Sequence, residues 1–157
     1  TPAPRWAIVA GVTLGVTAIA TAQAAILLPL ARWVGYPLGF AEWLAATAVC
    51  GLISTGCAAA GLAVAWRADS AQGYHGFMNA VVVPLWLLSG AIFPAGSPLW
   101  TKVVAMVNPL AYGLYALRGT LDPVGAPVTG PLSLALPVTL ALTVAGCAWA
   151  VRTVNRR

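Results

Sequence analysis

Acidic side chains are almost missing from this chain. Glu42, Asp69 and Asp122 are the only three in 157 residues. They fall in separate polar connections, so no carboxylate pair is available for acid–base catalysis. There is a single histidine, His75, with no Cys, Asp or Glu at metal-ligand spacing; Asp69 stands six residues away across a turn. No serine occupies a nucleophile elbow. No GxxxxGK[ST] phosphate loop occurs, so the chain cannot bind and hydrolyse ATP in that manner. The three cysteines, Cys50, Cys57 and Cys147, all lie in apolar runs. Cys50 and Cys57 are two helical turns apart, roughly 10 Å, whereas a disulfide needs Cα atoms within about 7 Å. All three read as small buried hydrophobes. Charge of either sign is scarce, at 7% of residues, against about 25% in a soluble domain. The eight basic residues are scattered, which excludes the clustered face that nucleic-acid binding needs.

What fills the chain instead is apolar: 61% of residues are hydrophobic and the mean hydropathy is +0.89. No water-soluble core of this size could hide so much apolar surface, so the solvent is lipid. The runs predict one all-α, polytopic membrane domain over residues 1–157. It has about four transmembrane helices, near 6–30, 43–66, 74–93 and 132–151. A cap of short external re-entrant or amphipathic helices is expected over 94–130. In the first span Gly11 and Gly15 form a GxxxG, and Thr13, Thr17 and Thr21 repeat every fourth residue. Both are stripes on which a second helix could pack closely. Gln23 is expected to hydrogen-bond a neighbouring helix, the sharper alternative being a place on a substrate path. Arg32 to Glu42 reads as a short connection, with Trp33, Tyr36 and Trp43 around it as an interfacial aromatic belt. The second span, rich in small residues such as Gly51, Ser54, Thr55 and Gly61, reads as another close-packing helix. In the third, Pro84 removes a backbone donor and crowds the carbonyl of Ala80, and Gly90 marks a second break.

Two helix starts follow. Ser97-Pro98 and Asn108-Pro109 each place an N-cap residue before a proline at the first helical position. Arg118-Gly119 reads as a stop, and Asp122 to Pro127 as a loop. Neither short helix reaches the roughly 20 residues that a crossing takes. With both termini cytoplasmic, the inner side carries Arg5, Arg67, Arg152, Arg156 and Arg157, and the outer side Arg32, Lys102 and Arg118. That bias favours this orientation. No carboxylate lies within a span, which counts against ion-coupled transport. The chain begins at Thr1 without a signal-peptide pattern and is expected to be part of a longer membrane protein.

At PLWLLSGAIFP and VNPLAYGLYALRGTL the chain resembles the membrane domain of ABC-2 type transporters, the permease subunits of ATP-binding-cassette exporters. It is most similar there to drug-resistance (daunorubicin-exporter-like) and nodulation-factor permeases. The matching positions are Pro84, Leu88, Ser89, Gly90, Phe93, Pro94, Pro98, Asn108, Pro109, Leu110, Tyr112 and Arg118. The resemblance covers the last four spans of what is normally a six-span subunit.

The resemblance implies no cofactor on this chain, ATP being bound by a partner nucleotide-binding ATPase subunit. It implies a second permease copy, a bacterial plasma membrane and its lipid, and outward movement of a hydrophobic or amphipathic substrate by alternating access. Pro84, Ser89, Gly90, Phe93 and Pro94 would then shape the outer gate. Asn108, Pro109 and Tyr112 would build the cap, and Arg118 would anchor it to the headgroups or to a carbonyl. The turn holding Arg67 and Asp69 is the expected contact for the ATPase. The alternative is a non-transporting scaffold or permease remnant.

Overall fold

The computed structural model describes residues 4–91, 99–121 and 132–155. Among these every regular element is helical. Helix α1 spans Arg5–Leu27 and tightens into a 3-10 helix over Leu28–Val34. Gly35, at φ 99°, ends it in the left-handed region that glycine tolerates. Helix α2 spans Phe40–Ala65, and α7 spans Leu132–Asn155 with Pro137 inside it. The expected connection after the first span is thus partly helical, and α2 starts three residues earlier than the apolar run predicts. The indole of Trp43 donates to the Ala25 carbonyl at 2.9 Å and holds the start of α2 against the end of α1.

Among the described residues three helical stretches are long and apolar enough to cross a membrane: Arg5–Val34, Phe40–Ala65 and Leu134–Asn155. The expected third span is helical from Ala71 to Ala91 but is assembled from pieces. These are α3 (Ala71–Phe77), a π-helical segment (Met78–Val82), α4 (Val83–Trp86) and a second π-helical segment (Leu87–Ala91). The first π segment ends two residues before Pro84 and contains Ala80, whose carbonyl the proline would crowd. A proline in an α-helix lacks the N–H for the carbonyl four residues back and collides with it. Widening the turn moves that carbonyl away, and the chain continues without a sharp stop.

Close approach of α2 and α7 holds the bundle together. A Cβ at Gly146 would lie 3.1 Å from the Gly56 carbonyl oxygen, and one at Gly56 would lie 2.9 Å from the Thr143 hydroxyl. Thr143 donates both to the Leu52 carbonyl on α2, at 3.1 Å, and to Thr139 on its own helix, at 2.9 Å. Near the Arg5 end, Val9, Ala59, Ala63, Ala150 and Val154 form one buried cluster. Gly146→Val is expected to lower stability by about 1–3 kcal/mol, the usual cost of an overpacked core. Gly15→Val, where a Cβ meets nothing within 4 Å, should stay within about 0.5 kcal/mol. Thermal unfolding in detergent checks both.

That contrast corrects one expectation. The GxxxG of α1 packs on no other helix among the described residues: a Cβ at Gly11 or Gly15 would meet nothing within 4 Å. The threonine stripe faces α2 instead. The Thr17 and Thr55 hydroxyls are 3.2 Å apart, and Thr55 already donates to Gly51, so Thr17 is the donor between helices. Thr21 packs where a Cβ on Gly51 would fall. Gln23 is exposed and has no hydrogen-bond partner among the described residues, contrary to the expected interhelical bond. The cysteines are free.

Helices α5 (Leu99–Val107) and α6 (Pro109–Leu121) form a hairpin with its tip at Asn108. Small residues, Ala111, Gly113, Ala116 and Gly119, make the buried side of α6. They let it lie between α2 and α7. A Cβ on Gly113 would come within 2.9 Å of Ile53, near the middle of α2. Further along, Ala116 joins Val49 and Ala135 in a second buried cluster. Pro109 and Leu110 share a cavity wall with Cys57 and Ala60. Helix α6 therefore runs antiparallel to α2, and the hairpin tip reaches past α2's midpoint. The tip lies deep beside α2 and not over the bundle's end.

Candidate functional site

The deep hairpin meets the broken helix at its second break. Gly90 has φ 91° and ψ 6°, a left-handed conformation inside the Leu87–Ala91 segment. A helix that ends this way leaves its last carbonyls without backbone donors. In lipid an unpaired carbonyl costs several kcal/mol, so each needs a replacement donor. The structure supplies them from side chains. Asn108 Nδ2 donates to the Leu85 carbonyl. Ser89, buried, donates its hydroxyl to Trp86 at 2.6 Å. Arg118 donates through Nη2 to the Gly90 carbonyl at 2.9 Å.

Asn108 has a second role at the same place. Its Oδ1 accepts from the Leu110 N–H at 3.0 Å, which caps α6 behind Pro109, a residue with no N–H to satisfy. With only 2% of its surface exposed, Asn108 is among the most buried large side chains of the described chain. Tyr112, one turn into α6, donates its hydroxyl to the Met106 carbonyl at 2.7 Å and closes the end of α5. The Tyr112 and Tyr115 rings meet edge to face, with centroids 6.5 Å apart. The nearest heavy atom to a Cβ built on Gly90 is the Tyr115 hydroxyl, at 4.0 Å.

Pro84, Ser89, Gly90, Asn108, Pro109, Tyr112 and Arg118 are thus gathered on one helix break and the hairpin that satisfies it. Phe93, Pro94 and the Ser97-Pro98 start lie outside the described residues. The expected stop at Arg118-Gly119 is corrected. Helix α6 continues to Leu121, Gly119 is buried inside it, and Arg118 reaches the Gly90 carbonyl. Leu85, which contributes only a backbone carbonyl, and Tyr115 were not foreseen. A carbonyl acceptor leaves no mark on residue type, and Tyr115 carries no local signal. Arg118→Met keeps the reach but removes the donor. It is expected to destabilise the chain by about 1–3 kcal/mol, the cost of an unsatisfied buried acceptor, whereas Arg118→Lys, which keeps a donor, should recover most of that loss. Thermal unfolding of the two variants measures the difference.

Arg67 and Asp69 lie at the other end, between α2 and α3. Arg67 stacks over Trp149, its guanidinium carbon 5.9 Å from the ring centroid. Ser70 caps α3 by accepting from the Gly73 N–H at 3.0 Å, which leaves Asp69 exposed on the turn. His75 packs edge-on to Tyr74. Among the described residues no group of three His, Cys, Asp or Glu could hold a metal.

Long apolar helices around a deep hairpin, with a helix break closed by side-chain donors, define a polytopic α-helical membrane protein. The family model for the ABC-2 type transporter matches residues 1–121, from α1 through α6 with the whole of this site, and the chain belongs to that family. Members are transport permeases, not themselves catalytic, and normally work with an ATP-binding subunit. No curated protein and no solved structure matches the chain.

Proposed function

We propose that the chain is the permease part of an ABC exporter, of the drug-resistance or nodulation-factor kind. It moves a hydrophobic or amphipathic substrate outward by alternating access, driven by a partner nucleotide-binding ATPase. A second permease copy completes the path. The membrane is a bacterial plasma membrane, with both ends of this segment cytoplasmic and 71–91 as a fourth crossing. The break at Gly90, with the α5–α6 hairpin, is the outer gate, and the Arg67–Asp69 turn faces the ATPase.

One observation carries this reading: both halves of the sequence motif meet in a single constellation. Asn108 and Arg118 close carbonyls that the Leu85–Gly90 break sets free. Such a joint holds a defined position and can be released by exchanging a few hydrogen bonds, which is what a gate between two states requires. The one carboxylate in the described spans, Glu42, stands in the first turn of α2 and none lies deeper, which fits an external energy source. Efflux from cells that also express the partner ATPase tests the reading. Asn108→Ala and Gly90→Leu should abolish most efflux at matched membrane levels. Unchanged efflux and expression in both would remove the gate.

A further inference from the structure

Two cavities, of about 410 and 630 Å³, lie on either side of the hairpin tip. Cys57, Ala60, Pro109, Leu110 and Trp149 line both, so the two form one trough along α2. The larger part is walled by aliphatic residues of α1 and the broken helix, among them Val12, Val16, Val81 and Leu85. In the smaller part the only hydroxyls, Thr139 and Thr143, already donate to backbone carbonyls. The trough thus offers its contents no strong hydrogen bond and suits hydrocarbon.

One end is different. Trp149 carries the Arg67 guanidinium at 5.9 Å, and Arg67 makes no ion pair with any described residue. The Tyr74 hydroxyl lines the larger cavity, beside Gly61, and has no hydrogen-bond partner among the described residues. A cation held on one wall residue, Trp149, and a free hydroxyl in the wall itself suit an occupant that is apolar along its length and anionic at one end.

We infer that the trough binds one acyl chain of an anionic membrane lipid, with the headgroup seated on Arg67 and Tyr74. A single cation near an anionic membrane surface attracts such headgroups, and aromatic side chains favour the same level. The occupied trough would also press on Pro109 and Leu110 at the hairpin tip. The inference rests on the membrane placement of the bundle and not on export.

The test uses the full-length protein in nanodiscs of phosphatidylcholine doped with brominated phosphatidylglycerol or, separately, brominated phosphatidylcholine. The Trp149 signal is the difference between wild type and Trp149→Phe. The brominated phosphatidylglycerol should quench it several-fold more per mole than the brominated phosphatidylcholine. Arg67→Gln, which removes the charge, should make the two equal, the comparison of the two lipids within the variant cancelling the lost stack on Trp149. Ala60→Phe, which fills the trough, should lower quenching by both. Equal quenching of the wild type, or a preference that survives Arg67→Gln, would overturn the proposal. Lost efflux with the lipid preference intact would instead count against the exporter reading alone.

Discussion

Asn108→Ala should destabilise the membrane-inserted protein by about 2–4 kcal/mol and should abolish most efflux. The figure joins two losses. Removing Nδ2 leaves the Leu85 carbonyl without its donor, at about 1–3 kcal/mol for a buried group. Removing Oδ1 uncaps α6 at the Leu110 N–H, at about 1 kcal/mol. Asn108→Asp separates them. The aspartate still accepts from Leu110 but cannot donate to Leu85, and it buries a charge beside a carbonyl. It should therefore be no better than alanine in stability, although aspartate caps helices as well as asparagine does. If the contact with Leu85 were incidental, aspartate would restore the cap and the stability together. Thermal unfolding in detergent, with efflux measured at matched expression, distinguishes these outcomes.

The second large effect is expected at Gly90, and there conformation decides instead of size. The residue sits at φ 91°, while the space around it is open out to the Tyr115 hydroxyl at 4.0 Å. A Cβ would meet no wall, but an L-residue in a left-handed conformation costs roughly 1–2 kcal/mol. Asparagine tolerates that region better than alanine, and β-branched residues tolerate it worst. Stability and efflux should therefore fall in the order Gly, Asn, Ala, Val. A ranking by side-chain volume, with alanine above asparagine, would show that crowding is the constraint. A substitution that moves the helix break should also weaken the Arg118 bond to the Gly90 carbonyl. Arg118→Met added to Gly90→Ala should then cost less than the two losses summed, as expected for groups in contact.

Features set by neighbouring residues were legible in the sequence. The Asn108-Pro109 start is a local device: an acceptor, then a residue without an N–H, and it caps α6 as expected. Pro84 announced a disturbed helix because proline acts on its own turn, but the π-helical form that absorbs it depends on how the chain can widen. Arg118-Gly119 misled for a related reason. A cation followed by glycine looks the same whether it ends its own helix or serves a break elsewhere, and only the fold brings Arg118 to Gly90.

The packing faces were less legible. Helix α1 is apolar nearly all round, so nothing in its composition distinguishes the side with Gly11 and Gly15 from the side with Thr13, Thr17 and Thr21. Glycine allows close approach but does not compel it. The threonine stripe lies against α2, where the Thr17 hydroxyl meets Thr55, while the Thr13 and Thr21 hydroxyls are buried without a hydrogen-bond partner among the described residues and contribute their methyl packing instead. The depth of the hairpin was hidden too. Residues 109–121 are too few to cross a bilayer, and the small side chains that admit α6 against Ile53 and Val49 reveal their role only beside α2.

The most direct measurement is the environment of a spin label at Leu110, at the tip of the hairpin, in proteoliposomes with the partner ATPase. Accessibility to oxygen reports lipid, and accessibility to a water-soluble nickel chelate reports solvent. A re-entrant gate predicts high oxygen and low nickel accessibility at rest, with nickel accessibility rising when the ATPase is trapped in its nucleotide-bound state. High nickel accessibility at rest, or no change on trapping, would contradict the gate.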